Sequence, residues 1–248
     1  AKGDFDEVRR RLDNGASPNG GGLTPHLCVA CGLGHLEVAG LLLERRADVE
    51  SSMLGQSALG TVCQEGKHMD VTRLLLSKGA DPITAVDSGM DTPLSSAARS
   101  GHVSFVEMLL THIFSQGESF STLSAAASRQ FTLALLVACQ QKQPACARLL
   151  LAAGAPPDAN LEGVGVNSIL CSACGLGSLE CATLLLDHGA NIEVNGPAGS
   201  PLIGACQQGH ADVTRMLLSR GANVNATRWD GLSAMLLACA ASGDPRLP

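Results

Sequence analysis

One phrase recurs along this chain of 248 residues. Residues 172–194 read "SACGLGSLECATLLLDHGANIEV" and residues 204–226 read "GACQQGHADVTRMLLSRGANVNA". Both carry Ala-Cys, a Gly, an apolar triplet and Gly-Ala-Asn in the same order and at the same spacing. The Cys that follows Ala or Val serves as a phase marker at Cys31, Cys63, Cys139, Cys174, Cys206 and Cys239, with Ala98 in the copy that lacks it. The intervals are 32, 35, 41, 35, 32 and 33 residues. A period this short cannot enclose a core of its own. Each unit must be one supersecondary element that buries its apolar face against its neighbours.

The unit reads as two helices. In "SPLIGACQQ" (200–208), Ser and Pro stand where a helix starts, and Leu202, Ala205 and Cys206 follow at helical spacing. "HADVTRMLLSRG" (210–221) predicts a second helix with Val213, Leu217 and Leu218 on one face. Gly221 is placed for the left-handed residue that ends a helix. An extended loop of about ten residues then leads to the next unit. Aromatic residues make up 2% of the chain, with no Tyr and one Trp. Leu, Ala, Val and Cys must therefore fill the interior, which suits thin stacked layers better than a thick centre.

The stretches "DTPLSSAARSGHVSFVEMLL" (91–110) and "GHADVTRMLLSRGANVNA" (209–226) closely resemble ankyrin repeats, and the resemblance runs over nearly the whole chain. It implies an all-α solenoid of helix-turn-helix units joined by loops or hairpins, here one domain over 1–248. Residues 1–19 read as a partial repeat, mostly second helix. Full repeats follow at 22–50, 55–86, 89–117, 131–160, 165–195 and 198–226. Residues 229–248 read as a final partial repeat, mostly first helix. An insertion falls within 111–130, as a short extra helix or a longer loop. The fourth position of the family's Thr-Pro-Leu-His motif holds Cys28, Gly60, Ser95, Leu136, Cys171, Ile203 and Leu236, so the hydrogen bond from that His is expected to be missing.

Ten cysteines invite a disulfide or zinc reading. All ten fall on three phases of the repeat, and at the last phase other copies have Val38, Phe105 and Val213. Cysteine thus alternates with apolar residues, as a small buried side chain does. The two CxxC pairs, 28–31 and 171–174, lie four repeats apart. With packed helices roughly 8–10 Å apart, they cannot share a metal. Buried, unpaired thiols of low reactivity are expected, in a reducing intracellular compartment such as the cytoplasm.

His35, His68, His102 and His210 share the turn between the two helices, which gives them a structural role. No HExxH, P-loop, GxSxG or EF-hand pattern is present. No catalytic, metal or cofactor residue is assigned, and no small-molecule substrate is expected. Net charge is −6 with scattered basic residues, which argues against nucleic acid. No apolar run approaches the roughly 20 residues that cross a bilayer, so no membrane insertion is expected. No secretory signal is visible. A chain that starts at Ala1 rather than Met reads as a fragment.

These exclusions leave a protein-binding module or scaffold, without catalysis. The alternative is a regulatory or substrate-targeting arm of a larger enzyme, such as a kinase or a ubiquitin ligase. A third reading is a redox or metal sensor built on the CxxC pairs. The candidate protein-binding residues are Gln64, Glu65, Arg99, Gln140, Gln141, Gln207, Gln208, Arg228 and Trp229. They fall at first-helix ends and loop tips, where core packing makes no demand. Each could equally be a solvated helix end. Trp229 has two readings: an exposed hot spot on the last loop, or a cover folded over the neighbouring loop and the bare final helix, "LSAMLLACAAS" (232–242).

Overall fold

The computed structural model describes residues 2–20, 25–84, 91–115, 120–158, 168–194, 199–228 and 230–241. The chain divides into two compact units, 1–130 and 131–248. The first unit contains α1 (Lys2–Asp13), α2 (His26–Gly32), α3 (Leu36–Glu44), β1 (Ser52–Met53), β2 (Gln56–Ser57), α4 (Ala58–Glu65), α5 (Met69–Ser77), α6 (Pro93–Ser100) and α7 (Val103–Phe114). Helix α8 (Ala125–Gln140) begins at the end of this unit. The second unit continues with α9 (Pro144–Ala152), α10 (Ile169–Gly175), α11 (Leu179–Asp187), α12 (Pro201–Gln207), α13 (Ala211–Ser219) and α14 (Ala234–Ala241).

Each unit is a stack of helix pairs. In the first, the leading helices form one row, α2 on α4 on α6, while α1, α3 and α5 form the other. In the second, α10, α12 and α14 form the leading row, and α9, α11 and α13 the trailing row. Leucines at matching phases fill the layer between rows. Leu27, Leu42, Leu59, Leu75, Leu94 and Leu109 are fully buried in the first unit, and Leu135, Leu150, Leu170 and Leu185 in the second. Phe131 is the one ring among the largest fully buried described side chains.

Local chemistry sets the helix ends. Ser57, Thr92, Ser168 and Ser200 each cap a leading helix by accepting a backbone N–H through the hydroxyl. Thr92 and Ser95 do so reciprocally, with Thr92 N donating to Ser95 Oγ at 2.8 Å. Trailing helix α13 ends in the left-handed residue expected at Gly221. Gly221 N donates to Leu218 O, and Ala222 N to Leu217 O, both at 3.0 Å. The same pair of bonds recurs at Gly79, Gly154 and Gly189.

The described part of the insertion at 111–130 is mostly helix. Helix α7 runs to Phe114, a 3-10 turn covers Phe120–Thr122, and α8 has 16 residues where α10 and α12 have seven. The run "AAASRQF" holds no Gly or Pro, so the leading helix of this repeat extends backward.

Candidate protein-binding surface

The loops between repeats are ordered by a recurring pair of contacts. Asp48, Asp81, Asn191 and Asn223 follow the Ala that closes each trailing helix. Each accepts through its side chain from the backbone N–H two residues on, at 2.9–3.0 Å. Each also donates its own N–H backward to the preceding repeat: to Asn19 Oδ1 (2.7 Å), Glu50 Oε1 (2.8 Å), Asp158 (2.8 and 3.0 Å) and Glu193 Oε1 (2.7 Å) respectively.

The bond expected to be missing at the fourth motif position has a substitute. Cys28 Sγ donates to Ser51 O at 3.2 Å, and Cys171 Sγ to Val194 O at 3.5 Å and Gly199 O at 3.6 Å. A thiol is a weak donor, but it occupies the place of the His and reaches the next loop. Cysteine at this phase is therefore more than a small apolar filler.

On this frame sits one residue that sequence reading passed over. Strands β1 and β2 pair antiparallel, Ser52 with Ser57 and Met53 with Gln56, so the hairpin tip is Leu54-Gly55. Leu54 has φ +54° and is 97% exposed. Two-residue hairpin turns with both φ positive favour Asn-Gly or Asp-Gly. At the same phase the last repeat has Asp230-Gly231, where Arg228 donates to Asp230 through Nε at 3.1 Å. Leu at that position is a bulky apolar side chain in backbone it disfavours, held away from its own core. The signal was present in the sequence as Leu-Gly where turn chemistry wants Asp-Gly.

The predicted polar residues mostly brace the loops. Gln64 Oε1 accepts from Gln56 Nε2 at 2.6 Å, just below the tip. Arg99 pairs with Asp91. Arg228 Nη1 donates to Gln207 Oε1 at 3.1 Å, joining two predicted residues. Gln140, half-buried, donates to Ser172 Oγ at 3.3 Å. Glu65, Gln141 and Gln208 are exposed. Trp229 lies outside the described residues.

Eight described cysteines are free and buried, and Cys171 is half-buried. Burial pushes the thiols of Cys63 and Cys174 up, Cys31 to about 12 and Cys146 to about 11. Cys181 differs: a hydrogen bond from the Cys139 thiol holds it below the usual range, against its burial. The same bond, with burial, holds Cys139 well above. Among the described residues no group of three or more His, Cys, Asp or Glu is arranged to hold a metal ion. No described helix is long and apolar enough to cross a membrane.

The family model described as ankyrin repeats (3 copies) matches residues 27–121 and 135–228. The ankyrin repeat and KH domain-containing protein mask of Drosophila melanogaster is 45% identical over 87 residues, covering 34% of this chain and 2% of that protein. Human ankyrin repeat and SOCS box protein 16 is 30% identical over 214 residues, covering 72% of this chain and 46% of that protein. The chain therefore spans less than half the length of either relative. Among solved structures, the human ASB11 ankyrin repeat domain superposes with a TM-score of 0.71 at 25% identity, covering 90% of this chain and 94% of that one. The Bcl-3 ankyrin repeat domain gives 0.69 at 26% identity, covering 87% and 94%. With matched segments over most of its length and helix pairs at the matching period, the chain belongs to the ankyrin repeat family, whose repeats are protein-interaction modules.

Proposed function

We propose that this chain is a non-catalytic binding module that grips a protein or extended peptide with its hairpin tips and leading-helix ends, Leu54 being the anchor. The observation that carries the reading is Leu54 itself. A side chain held in unfavourable backbone and kept out of its own core fits a hydrophobic pocket on a partner. The polar residues at Gln56, Gln64 and Glu65 form the solvated rim such an anchor needs. A reducing intracellular setting, such as the cytoplasm, suits a module with this many free thiols.

The test is affinity capture from cell extract with the wild-type chain and with Leu54→Asp, compared by quantitative mass spectrometry. A partner held by the wild type should be lost, and its purified complex should weaken by about 30-fold, the equivalent of roughly 2 kcal/mol at a hot spot. An unchanged set of captured proteins, with the variant folded normally, overturns the assignment.

A second reading, a substrate-targeting arm of a ubiquitin ligase, is favoured by one comparison. The Arabidopsis thaliana E3 ubiquitin-protein ligase XBAT33 is 36% identical over 115 residues, covering 44% of this chain and 22% of that protein. On that reading the captured partner carries less ubiquitin in cells that express Leu54→Asp.

A further inference from the structure

The turn that follows α1 departs from the others at one position. Where Asp48, Asp81, Asn191 and Asn223 accept the N–H two residues on, the residue after Ala16 is Ser17, followed by Pro18. Gly20 N donates to Ser17 O at 3.3 Å. This closes a four-residue turn with Pro18 in the second place, which such turns favour. A serine oxygen sits one atom closer to the backbone than a carboxylate oxygen, and the side-chain bond of the other turns is not made. Among the described residues no hydrogen bond engages the Ser17 hydroxyl, and none takes the Asn19 N–H. Ser17 is exposed.

Ser17 borders an open groove of about 520 Å³ that is also lined by Glu7, Arg11, His26 and His35. His26 packs on the turn itself: a Cβ on Gly20 would lie 3.1 Å from its ring. Arg11 Nε donates to Glu7 at 2.8 Å, and Arg10 pairs with the same carboxylate at 2.6 Å. One carboxylate between two guanidiniums leaves a positive charge over. Each imidazole keeps at least one N–H donor in either protonation state. Donors from α1, from the start of α2 and from the cap of α3 thus share a groove with an unbonded hydroxyl.

We propose that Ser17 is a phosphorylation site for a proline-directed protein kinase, and that Arg11, His26 and His35 then hold the phosphate within the chain. The Ser17 oxygen attacks the γ-phosphorus of ATP. The new O–P bond forms, the bond from the γ-phosphorus to the bridging oxygen breaks, and ADP leaves. The hydroxyl proton passes to the carboxylate base of the kinase. The product carries about −1.5 to −2 charges near pH 7 and three strong acceptor oxygens. A phosphoserine reaches one atom further than an aspartate. One oxygen takes the Asn19 N–H, as Asp48 takes that of Glu50, and the others face the groove donors. Three other Ser-Pro or Thr-Pro pairs occur in the chain, at Thr24, Thr92 and Ser200. Thr92 and Ser200 are buried, their hydroxyls engaged in capping α6 and α12. Thr24 lies outside the described residues.

The native chain is incubated with magnesium, ATP and a cyclin-dependent kinase, and the products are mapped by mass spectrometry. Phosphate should enter at Ser17 and not at Thr92 or Ser200. The phosphorylated chain is then titrated by phosphorus NMR. Its second phosphate ionisation should fall below the usual value of about 6 by at least about half a unit, because cationic partners favour the dianion. In Arg11→Gln/His26→Ala, Ser17 should still be phosphorylated, and the ionisation should return to about 6. Exchange of the Asn19 amide should slow at least about tenfold on phosphorylation. The proposal is overturned if the native chain takes phosphate only at Thr24 or nowhere. It is also overturned if the phosphate titrates alike in the wild type and the folded double variant, or if the Asn19 amide exchanges at an unchanged rate. Should the double variant fail to fold, Arg11→Gln alone decides, since that side chain is 73% exposed.

Discussion

His102 Nε2 lies 3.1 Å from the carbonyl oxygen of Gln64, one repeat earlier. A carbonyl can only accept, so the proton sits on Nε2. His210 repeats the bond to Gly175 O at 3.1 Å. The imidazole is a strut between successive repeats, and the glycine beneath it is the surface on which it rests. His102→Ala should cost about 1–2 kcal/mol for the lost bond and the emptied space. Gly66→Ala should cost a similar amount for left-handed backbone, plus the collision with the ring. The double variant should cost less than the sum, because the collision is gone. A chemical-denaturation cycle measures this coupling.

Leu54 supplies the opposite case. Leu54→Asn should raise stability by about 0.5–1 kcal/mol, since Asn tolerates the positive φ and no core contact is lost. Urea unfolding checks it, and a drop in stability would place Leu54 inside the fold.

The loop ladder makes a conservative test possible. Asp81 accepts from Ile83 N at 2.9 Å and Thr84 N at 3.2 Å, and also from the Thr84 hydroxyl at 2.5 Å. Asp81→Ala should cost about 1–2 kcal/mol, and Asp81→Asn much less, because the amide oxygen can still accept. Equal losses in thermal unfolding would count against the side-chain bonds as the cause.

Glu50 sets a pH dependence. Burial holds its carboxyl above the usual range, partly offset by the hydrogen bond from Asp81 N. The folded state therefore holds this proton to higher pH than the unfolded one. Stability from this group is present below the unfolded pKa and declines as pH rises through the folded value. Glu50→Gln keeps the acceptor and removes the titration. Relative to the wild type it should gain stability between about pH 4 and pH 7, as read from melting temperatures across that range.

Helix α14 ends the described chain half-covered. Met235 is 73% exposed and Leu236 52%, while Ala234 and Leu237 are buried against α12. Met235→Lys should change stability by less than about 0.5 kcal/mol. Leu237→Ala should cost about 2–3 kcal/mol.

The repeating helix pair was legible in the residues. Period, capping Ser or Thr, apolar triplet and closing Gly are local, and each acts within a few positions of itself. Most of the thiol burial was legible too, because a phase shared with Ala, Val and Phe marks the inner face. Contacts between repeats were not. The meeting of His102 with Gly66, or of Lys142 with Ser178, joins residues some 36 apart, and only stacking brings them together. Cys28 and Cys171 read as apolar fillers until packing set their S–H groups against loop carbonyls. Leu54 read as one more leucine until the hairpin placed it at the tip. A one-dimensional pattern records which face a side chain takes. Whether that face meets a glycine, an imidazole, a thiol or water is settled when the layers close.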